Sequence, residues 1–274
     1  MKRALVLGSF VASLAVLVGA ASGAGPSPGV TFGSPGVVSR DGKVRYLALR
    51  AGSGTLVEAV TTRRGTVRKS RFLKGAFGIP LVAYDGSTGG LSRDGHRLVV
   101  YAPDTRLRAK TRFVVLDPRT LRVRQRFTLN GDFGFDALSP DGSLMYLIQL
   151  KTPANGSGLA YDVRALDLGT GRLYAGAIVD RREPDEKMTG IPMTRVGSAD
   201  AGWAYTLYSK SSGGAFVHAL HTTHREAFCI DLPLRVPDER LARVRMRVVE
   251  NALLLRLRGK TIARIDTRTF RVTR

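Results

Sequence analysis

The densest group of acidic side chains in this sequence lies in the segment DRREPDEKMTGIPMTR, residues 180–195. The chain has a formal net charge of +21, and three carboxylates of this segment are clustered within four residues: Glu183, Asp185 and Glu186. Carboxylates on a long loop can hold a cation or a basic group of a partner. We predict a ligand site on this loop, with two companions near the start of the same repeat, Asp132 and Asp136. The alternative is a solvated loop whose carboxylates pair with neighbouring arginines.

Arginine alternates with uncharged residues in two other segments. The first contains Arg122, Arg124 and Arg126, and the second contains Arg243, Arg245 and Arg247. In a strand, a period of two places the arginines of one segment on one face, with successive side chains about 7 Å apart. Such a row could follow an anionic polymer. The alternative is an outer strand whose charged face blocks pairing with other chains.

Three histidines are close in sequence, but their spacing does not predict a zinc site. Positions 218 and 221 point to opposite faces of a strand. His221 stands where Asp117, Asp167 and Asp266 stand in other repeats, which indicates a turn residue. A turn that brings His221 and His224 together as ligands stays an alternative. We predict no metal site and no cofactor.

Motifs of several enzyme classes are absent from the sequence. It contains no P-loop, no dinucleotide fingerprint and no H-E-x-x-H. The segment 198–202 matches the S-x-D-x-G start of the sialidase Asp box, and Tyr205 supplies the aromatic residue expected after it. The other turns lack this pattern, which favours a structural role. A lactonase-like site would instead gather carboxylates in a central channel, and the candidates are Glu58, Asp85, Asp136 and Asp185.

The elements that must position these residues form a repeat. A Ser-X-Asp-Gly turn followed by an apolar run occurs at residues 39–42, 92–95 and 139–142, with looser copies at 198–202 and 250–251. The first four turns are separated by 53, 47 and 59 residues, and a second turn follows each by about 20 to 28 residues. Each unit is predicted to contain four antiparallel strands, with an inner strand after the first turn and an outer strand after the second.

The segment GFDALSPDGSLMYL, residues 134–147, resembles bacterial β-propeller repeats of the TolB-like and YVTN kinds, which are WD-repeat-like. Further similarity to secreted actinobacterial propeller proteins lies at residues 178–180, 183–188, 204–208 and 229–233. The resemblance covers most of the chain after residue 35. It implies an all-β propeller of four-stranded antiparallel blades, and it does not imply an activity. We predict five blades, with six as the alternative, and ring closure by packing of the first blade on the fifth.

Residues 1–24 are typical of a secretory signal peptide, with Lys2 and Arg3 before an apolar run and small residues up to Ala24. The alternative is an uncleaved membrane anchor. Residues 25–36 form a Gly/Pro/Ser-rich leader, and residues 37–274 form the propeller domain. Cys229 is the single cysteine, which excludes an intramolecular disulfide.

These features predict a secreted, monomeric, non-enzymatic scaffold at the cell envelope. Without the signal the side chains still carry about +19, which favours anionic partners. The expected partner is an envelope protein or an anionic envelope polymer, bound through the loop face and the basic outer strands. Aromatic residues do not interleave with the arginines, so no specific nucleic acid is predicted. The alternatives are a propeller enzyme, either a metal-dependent lactonase-like hydrolase or a sialidase-like glycosidase, and a structural or sensory propeller with a membrane partner.

Overall fold

The computed structural model of the chain describes residues 27–103, 110–151, 160–186, 188–210, 213–234 and 236–274. The predicted signal peptide and the first two residues of the leader lie outside the described residues. The described part is almost entirely β-structure, arranged in six small antiparallel sheets. The predicted all-β class is therefore confirmed.

Five of these sheets are built from strands that follow one another in the chain. Sheet 1 contains β2 (Val37–Val38), β3 (Val44–Ala51), β4 (Gly54–Thr61) and β5 (Val67–Lys74). Sheet 2 contains β7 (Leu98–Ala102), β8 (Lys110–Leu116) and β9 (Val123–Asn130). Sheet 3 contains β10 (Phe133–Leu138), β11 (Leu144–Lys151) and β12 (Ala160–Asp167).

Sheet 4 contains β13 (Ile191–Gly197), β14 (Trp203–Ser209), β15 (Ala215–His221) and β16 (Glu226–Leu232). Sheet 5 follows a short helix, α1 (Asp238–Leu241), and contains β17 (Arg245–Val249), β18 (Ala252–Leu257), β19 (Lys260–Asp266) and β20 (Val272–Thr273). A two-stranded sheet pairs β1 (Val30–Thr31) with β6 (Ile79–Pro80) and ties the leader to the segment before sheet 2.

The Ser-X-Asp-Gly turns are closed by the side chains that define the motif. At the third turn Ser139 Oγ donates to Asp141 Oδ1 at 2.6 Å and accepts the N–H of Leu144 at 2.9 Å. The same contacts recur at the turns that begin with Ser39, Ser92 and Ser198. Their serine and aspartate are thus explained by turn geometry.

The strand that follows the Ser-X-Asp-Gly turn is the second, inner strand in three of the sheets. In sheets 1, 3 and 4 the turn joins the first strand to the second. The first strands lie innermost, because β13 lies against β17 and because Asp136 of β10 contacts Arg195 of β13. The apolar run after the turn is second in its sheet, and in sheets 3 and 4 it is covered by a neighbouring sheet on each face.

The second turns are closed in the same way in each repeat. The Oδ1 atoms of Asp117, Asp167 and Asp266 each accept backbone N–H groups two and three residues further on. At the equivalent position His221 Nδ1 accepts the N–H groups of Thr223 and His224, both at 3.3 Å. His221 is therefore the turn residue that the repeat predicted. In the described part of the chain, no group of three His, Cys, Asp or Glu side chains is arranged to hold a metal ion.

The core consists of four apolar clusters, and each lies between two successive sheets. One member from each side identifies them: Tyr46 and Val100, Tyr101 and Met145, Tyr146 and Tyr208, and Leu207 and Leu253. Among the described residues no such cluster joins sheet 5 to sheet 1, so the predicted packing of the first blade on the fifth is not observed. The chemistry of the two end faces explains this difference. The face of sheet 1 that points away from sheet 2 carries Leu47, Leu49 and Leu56. The face of sheet 5 that points away from sheet 4 carries arginines, which are costly to bury without partners.

Candidate functional site

The outer face of sheet 5 carries four exposed arginines from three adjacent strands. They are Arg245 and Arg247 of β17, Arg256 of β18 and Arg264 of β19, and we call this surface the arginine face. Arg245 pairs in register with Arg256, while Arg247 and Arg264 both pair with Leu254. Residues directly opposite each other in antiparallel strands project from the same side of a sheet. The four guanidinium groups therefore share one surface.

The other side of β17 fixes this orientation. Val244 is fully buried, and Met246 and Val248 pack with it against the core between sheets 4 and 5. The period of two then directs Arg245 and Arg247 away from that core. Arg243 precedes the strand and is also exposed. The sequence prediction of an outer strand is wrong here, because β17 is the first and innermost strand of its sheet.

The arginine face lacks acidic partners. The ion pairs that the structure shows among the described residues include none of its four arginines. Arg245 instead donates to the carbonyl groups of Ala242 and Val244, and Arg256 donates to that of Gly259. Four arginines without ion-pair partners among the described residues are suited to an anionic ligand.

The other arginine row lies on β9, at the edge of sheet 2. Val115 pairs with Gln125 and Leu116 with Val123, so Arg124 is the extra residue of a β-bulge. Arg122 precedes the strand. The predicted row on one face is thus interrupted, since a bulge shifts the alternation of side chains.

An ion pair further distinguishes this second row. Arg124 forms a salt bridge with Asp117, the aspartate of the adjacent turn. Burial of the Asp117 carboxyl opposes its ionisation, but the Arg124 guanidinium and the N–H groups of Thr120 and Arg119 outweigh burial and lower its pKa to about 2. Arg124 therefore has a structural partner, which the arginines on sheet 5 lack.

The acidic loop, residues 180–190, forms one wall of a cavity of about 470 Å³. The segment predicted as loop is shorter than expected, because β13 begins at Ile191. The structure brings three predicted carboxylates together at this cavity, all of them exposed: Glu183, Asp185 and Glu186. The protonated carboxyl of Glu186 donates a hydrogen bond to Glu183, and this bond raises the pKa of Glu186. Tyr161 and Phe216 supply aromatic surface deeper in the cavity.

The base of the acidic loop is attached to sheet 4 by the buried carboxylate of Asp180. Asp180 is 5% exposed, binds the guanidinium of Arg182 at 2.6 Å and accepts the N–H of Cys229 at 2.8 Å. The carboxylate of Asp180 is thereby neutralised. It positions the loop and leaves the other three carboxylates of the loop facing solvent.

Asp132 and Asp136 do not join the acidic loop. Asp132 lies in the connection between β9 and β10, where its carbonyl accepts the N–H of Leu150. Asp136 lies in β10 and is 5% exposed, with its Oδ1 bound to Arg195 Nη1 at 2.5 Å. Asp132 precedes β10, and Asp136 lies at the bulge of β10 between Phe135 and Ala137, where it pairs with Arg195.

Asp136 and Arg195 line a second cavity, of about 380 Å³, which we call the central cavity. Its wall also includes Phe135, Arg93 and the loop 87–91. The sequence did not point to Arg93 or Arg195 as site residues. The sequence could have indicated the pair only through its position in the repeat, because Asp136 and Arg195 both lie in the first strand of consecutive repeats.

The segment between β6 and β7 crosses to sheet 4. The N–H groups of Tyr84 and Asp85 donate to the carbonyls of Pro192 and Met193, and Thr194 Oγ1 donates to Asp85 Oδ2 at 2.6 Å. Asp85 is thereby held as a structural carboxylate. Of the four carboxylates considered for a lactonase-like site, the structure places Asp136 in the central cavity and Asp185 in the acidic loop, so they do not converge.

Within the described ranges, no helix has the length and apolar character needed to cross a membrane.

No protein-family model and no curated protein sequence matches the chain. Similar solved structures include TolB from Acinetobacter baumannii, with 15% identity over 84% of this chain and 50% of that one and a TM-score of 0.44. They also include the β-propeller domain of Myceliophteria thermophila Cps50 (Swd1), with 12% identity over 90% and 70% of the two chains and a TM-score of 0.49.

A further similar structure is Pyrococcus horikoshii acylaminoacyl peptidase, with 12% identity over 83% of this chain and 36% of that one and a TM-score of 0.49. The chain spans about half the length of TolB and about half that of Kuenenia stuttgartiensis hydrazine synthase, another similar structure. TolB and a β-propeller domain are thus among the structures to which this chain is similar.

Proposed function

We propose that this protein is a secreted, monomeric five-bladed β-propeller that binds an anionic polymer of the cell envelope through the arginine face. The five larger sheets follow one another in the chain, and each packs on the next, as blades do. The observation that carries the proposed binding role is the set of four exposed arginines on one surface of sheet 5, without acidic partners among the described residues.

The spacing of these arginines suits a chain of regularly placed anions. Adjacent strands are about 4.8 Å apart, and alternate residues of one strand are about 7 Å apart. Each guanidinium group can bind a phosphate or a carboxylate with two parallel hydrogen bonds. A polyphosphate or poly(glycerol phosphate) chain lying across β17, β18 and β19 can meet all four groups in turn. Binding of this kind needs no catalytic side chain, and the proposed role is that of a non-enzymatic scaffold.

Retention on immobilised poly(glycerol phosphate), measured between about 50 and 500 mM salt, tests this proposal. If about four ionic contacts are formed, the logarithm of the binding constant falls with a slope of about −3 against the logarithm of salt concentration. Affinity then drops about a thousandfold across the series. Absence of retention at about 50 mM salt contradicts the proposal. Salt-insensitive retention also contradicts it, and indicates a partner recognised by shape.

A further inference from the structure

The central cavity contains a buried carboxylate oxygen without a hydrogen-bond partner. Asp136 is 5% exposed, and its Oδ1 accepts the hydrogen bond from Arg195, but its Oδ2 is enclosed and unpaired. Buried polar atoms in native proteins are almost always paired, and leaving one unpaired is destabilising. The carboxylate is held in place by Arg195, whose side chain is 9% exposed. Asp136 thus lines the cavity, and its Oδ2 is a fixed acceptor that no described group of the protein uses.

The guanidinium group of Arg93 also lines this cavity and has an unused hydrogen-bond donor. Arg93 lies in the second Ser-X-Asp-Gly turn, and its Nε is buried without a partner. The turn holds its backbone, because Ser92 Oγ accepts the N–H of Arg97 at 2.9 Å and donates to Asp94 at 2.6 Å. Since Asp136 neutralises Arg195, the charge of Arg93 remains, and the cavity favours a ligand with one negative charge.

Close packing preserves the shape of this cavity. A Cβ atom on Gly89 would lie 2.8 Å from Cε1 of Phe135, and one on Gly90 would lie 2.6 Å from the carbonyl oxygen of Val99. Gly90 also has a φ of +97°, a conformation that other residues rarely adopt. The loop therefore approaches β7 and β10 as closely as its backbone permits, and the wall opposite Asp136 is rigid.

We infer that the central cavity binds a small carboxylate that also carries a hydroxyl or ammonium group. The ligand carboxylate pairs with Arg93, and the hydroxyl or ammonium donates to Asp136 Oδ2. A volume of about 380 Å³ is within the range of small-molecule sites and matches a hydroxy acid or an amino acid of about six carbons. This site is separate from the arginine face and goes beyond the proposed polymer binding.

Isothermal titration calorimetry with four probes tests the inference. Gluconate carries a carboxylate and hydroxyl groups, and glutamine carries a carboxylate and an ammonium group. Sorbitol lacks the carboxylate, and hexanoate lacks the donor. We expect gluconate or glutamine to bind at least about tenfold more tightly than sorbitol and hexanoate, since one charged hydrogen bond contributes about 1.5–3 kcal/mol. Which of the two binds identifies the donor that Asp136 accepts.

Two variants locate the binding. R93Q removes the charge and should weaken binding at least about tenfold. R97Q is the matched control, because Arg97 belongs to the same turn and also has a buried Nε without a partner, but it does not line the cavity. R97Q should bind like the wild type. Thermal unfolding of both variants verifies that they are folded.

Failure of both gluconate and glutamine to bind overturns the inference, and so does equal affinity of R93Q and wild type. Neither result bears on retention by poly(glycerol phosphate).

Discussion

Two segments of this chain have the same pattern of arginines around a valine, and the fold uses them differently. Around Val244 the strand is the innermost of its sheet, with the valine fully buried and the flanking arginines exposed. Around Val123 the strand is the outermost of sheet 2, and the valine itself is 36% exposed. A strand between a core and solvent needs strict alternation, whereas an edge strand outside the core tolerates a bulge.

The difference shows that a row of arginines indicates a binding surface only when the side chains between the arginines are held in the core. Val244, Met246 and Val248 are held by the core, so the arginines beside them cannot turn inward. Around Arg124 no such constraint exists, and the arginine pairs with Asp117 instead. The first row is available to a ligand, and the second contributes to the turn and to the charged edge of sheet 2.

The largest expected effect is on stability. V244A should lower the free energy of unfolding by about 2–3 kcal/mol, because it leaves a cavity between sheets 4 and 5. V123A should change it by less than about 0.5 kcal/mol, because that side chain is partly in solvent. Denaturation in urea at neutral pH measures both. Equal effects of the two substitutions would show that β17 and β9 are not placed as described.

A smaller effect is expected from the ion pair of the second row. The pKa of Asp117 is about 2 in the folded protein, below its ordinary value of 3.8. The carboxylate therefore adds stability above about pH 4, and this contribution is lost as the pH falls from about 4 to about 2. D117N should be less stable than wild type by about 1 kcal/mol at pH 6, with the difference vanishing near pH 2. Urea unfolding at several pH values measures it, and a difference independent of pH would rule out the Arg124 pairing as its cause.

The smallest effect concerns the edge of sheet 2. Replacement of all three arginines of this row by serine removes charge from an edge strand, which should modestly increase self-association. Sedimentation velocity at several protein concentrations detects this change. A variant that stays as monomeric as the wild type would show that these charges do not protect the edge.

Much of the fold could be predicted from the sequence because its turns have strong local chemistry. Ser139 and Asp141 close the third turn with their own side chains, and His221 replaces the aspartate of the second turn with an equivalent acceptor. Such contacts span only a few residues, so the sequence reports them directly. The order of strands within a sheet and the joining of the first sheet to the last depend on contacts between distant residues. The turn motifs contain no information about these contacts.

The candidate sites were predictable in part. The acidic loop keeps Glu183 and Glu186 together because they are three residues apart, and a local pattern suffices. The central cavity combines Arg93, Asp136 and Arg195, which belong to three different repeats. Nothing in their local sequences links these residues. Arg256 and Arg264 were likewise missed, because each is isolated in its own strand and joins Arg245 and Arg247 only through the register of sheet 5.

The most direct test of the central claim compares two triple variants of the same chain. The first, R245S/R247S/R264S, removes three charges from the arginine face, and the second, R122S/R124S/R126S, removes three charges from the edge of sheet 2. Both lower the net charge equally. Retention on poly(glycerol phosphate) at about 50 mM salt should fall at least about a hundredfold for the first variant and only severalfold for the second. Equal losses would contradict the account, because binding would then follow total charge and not the arginine face.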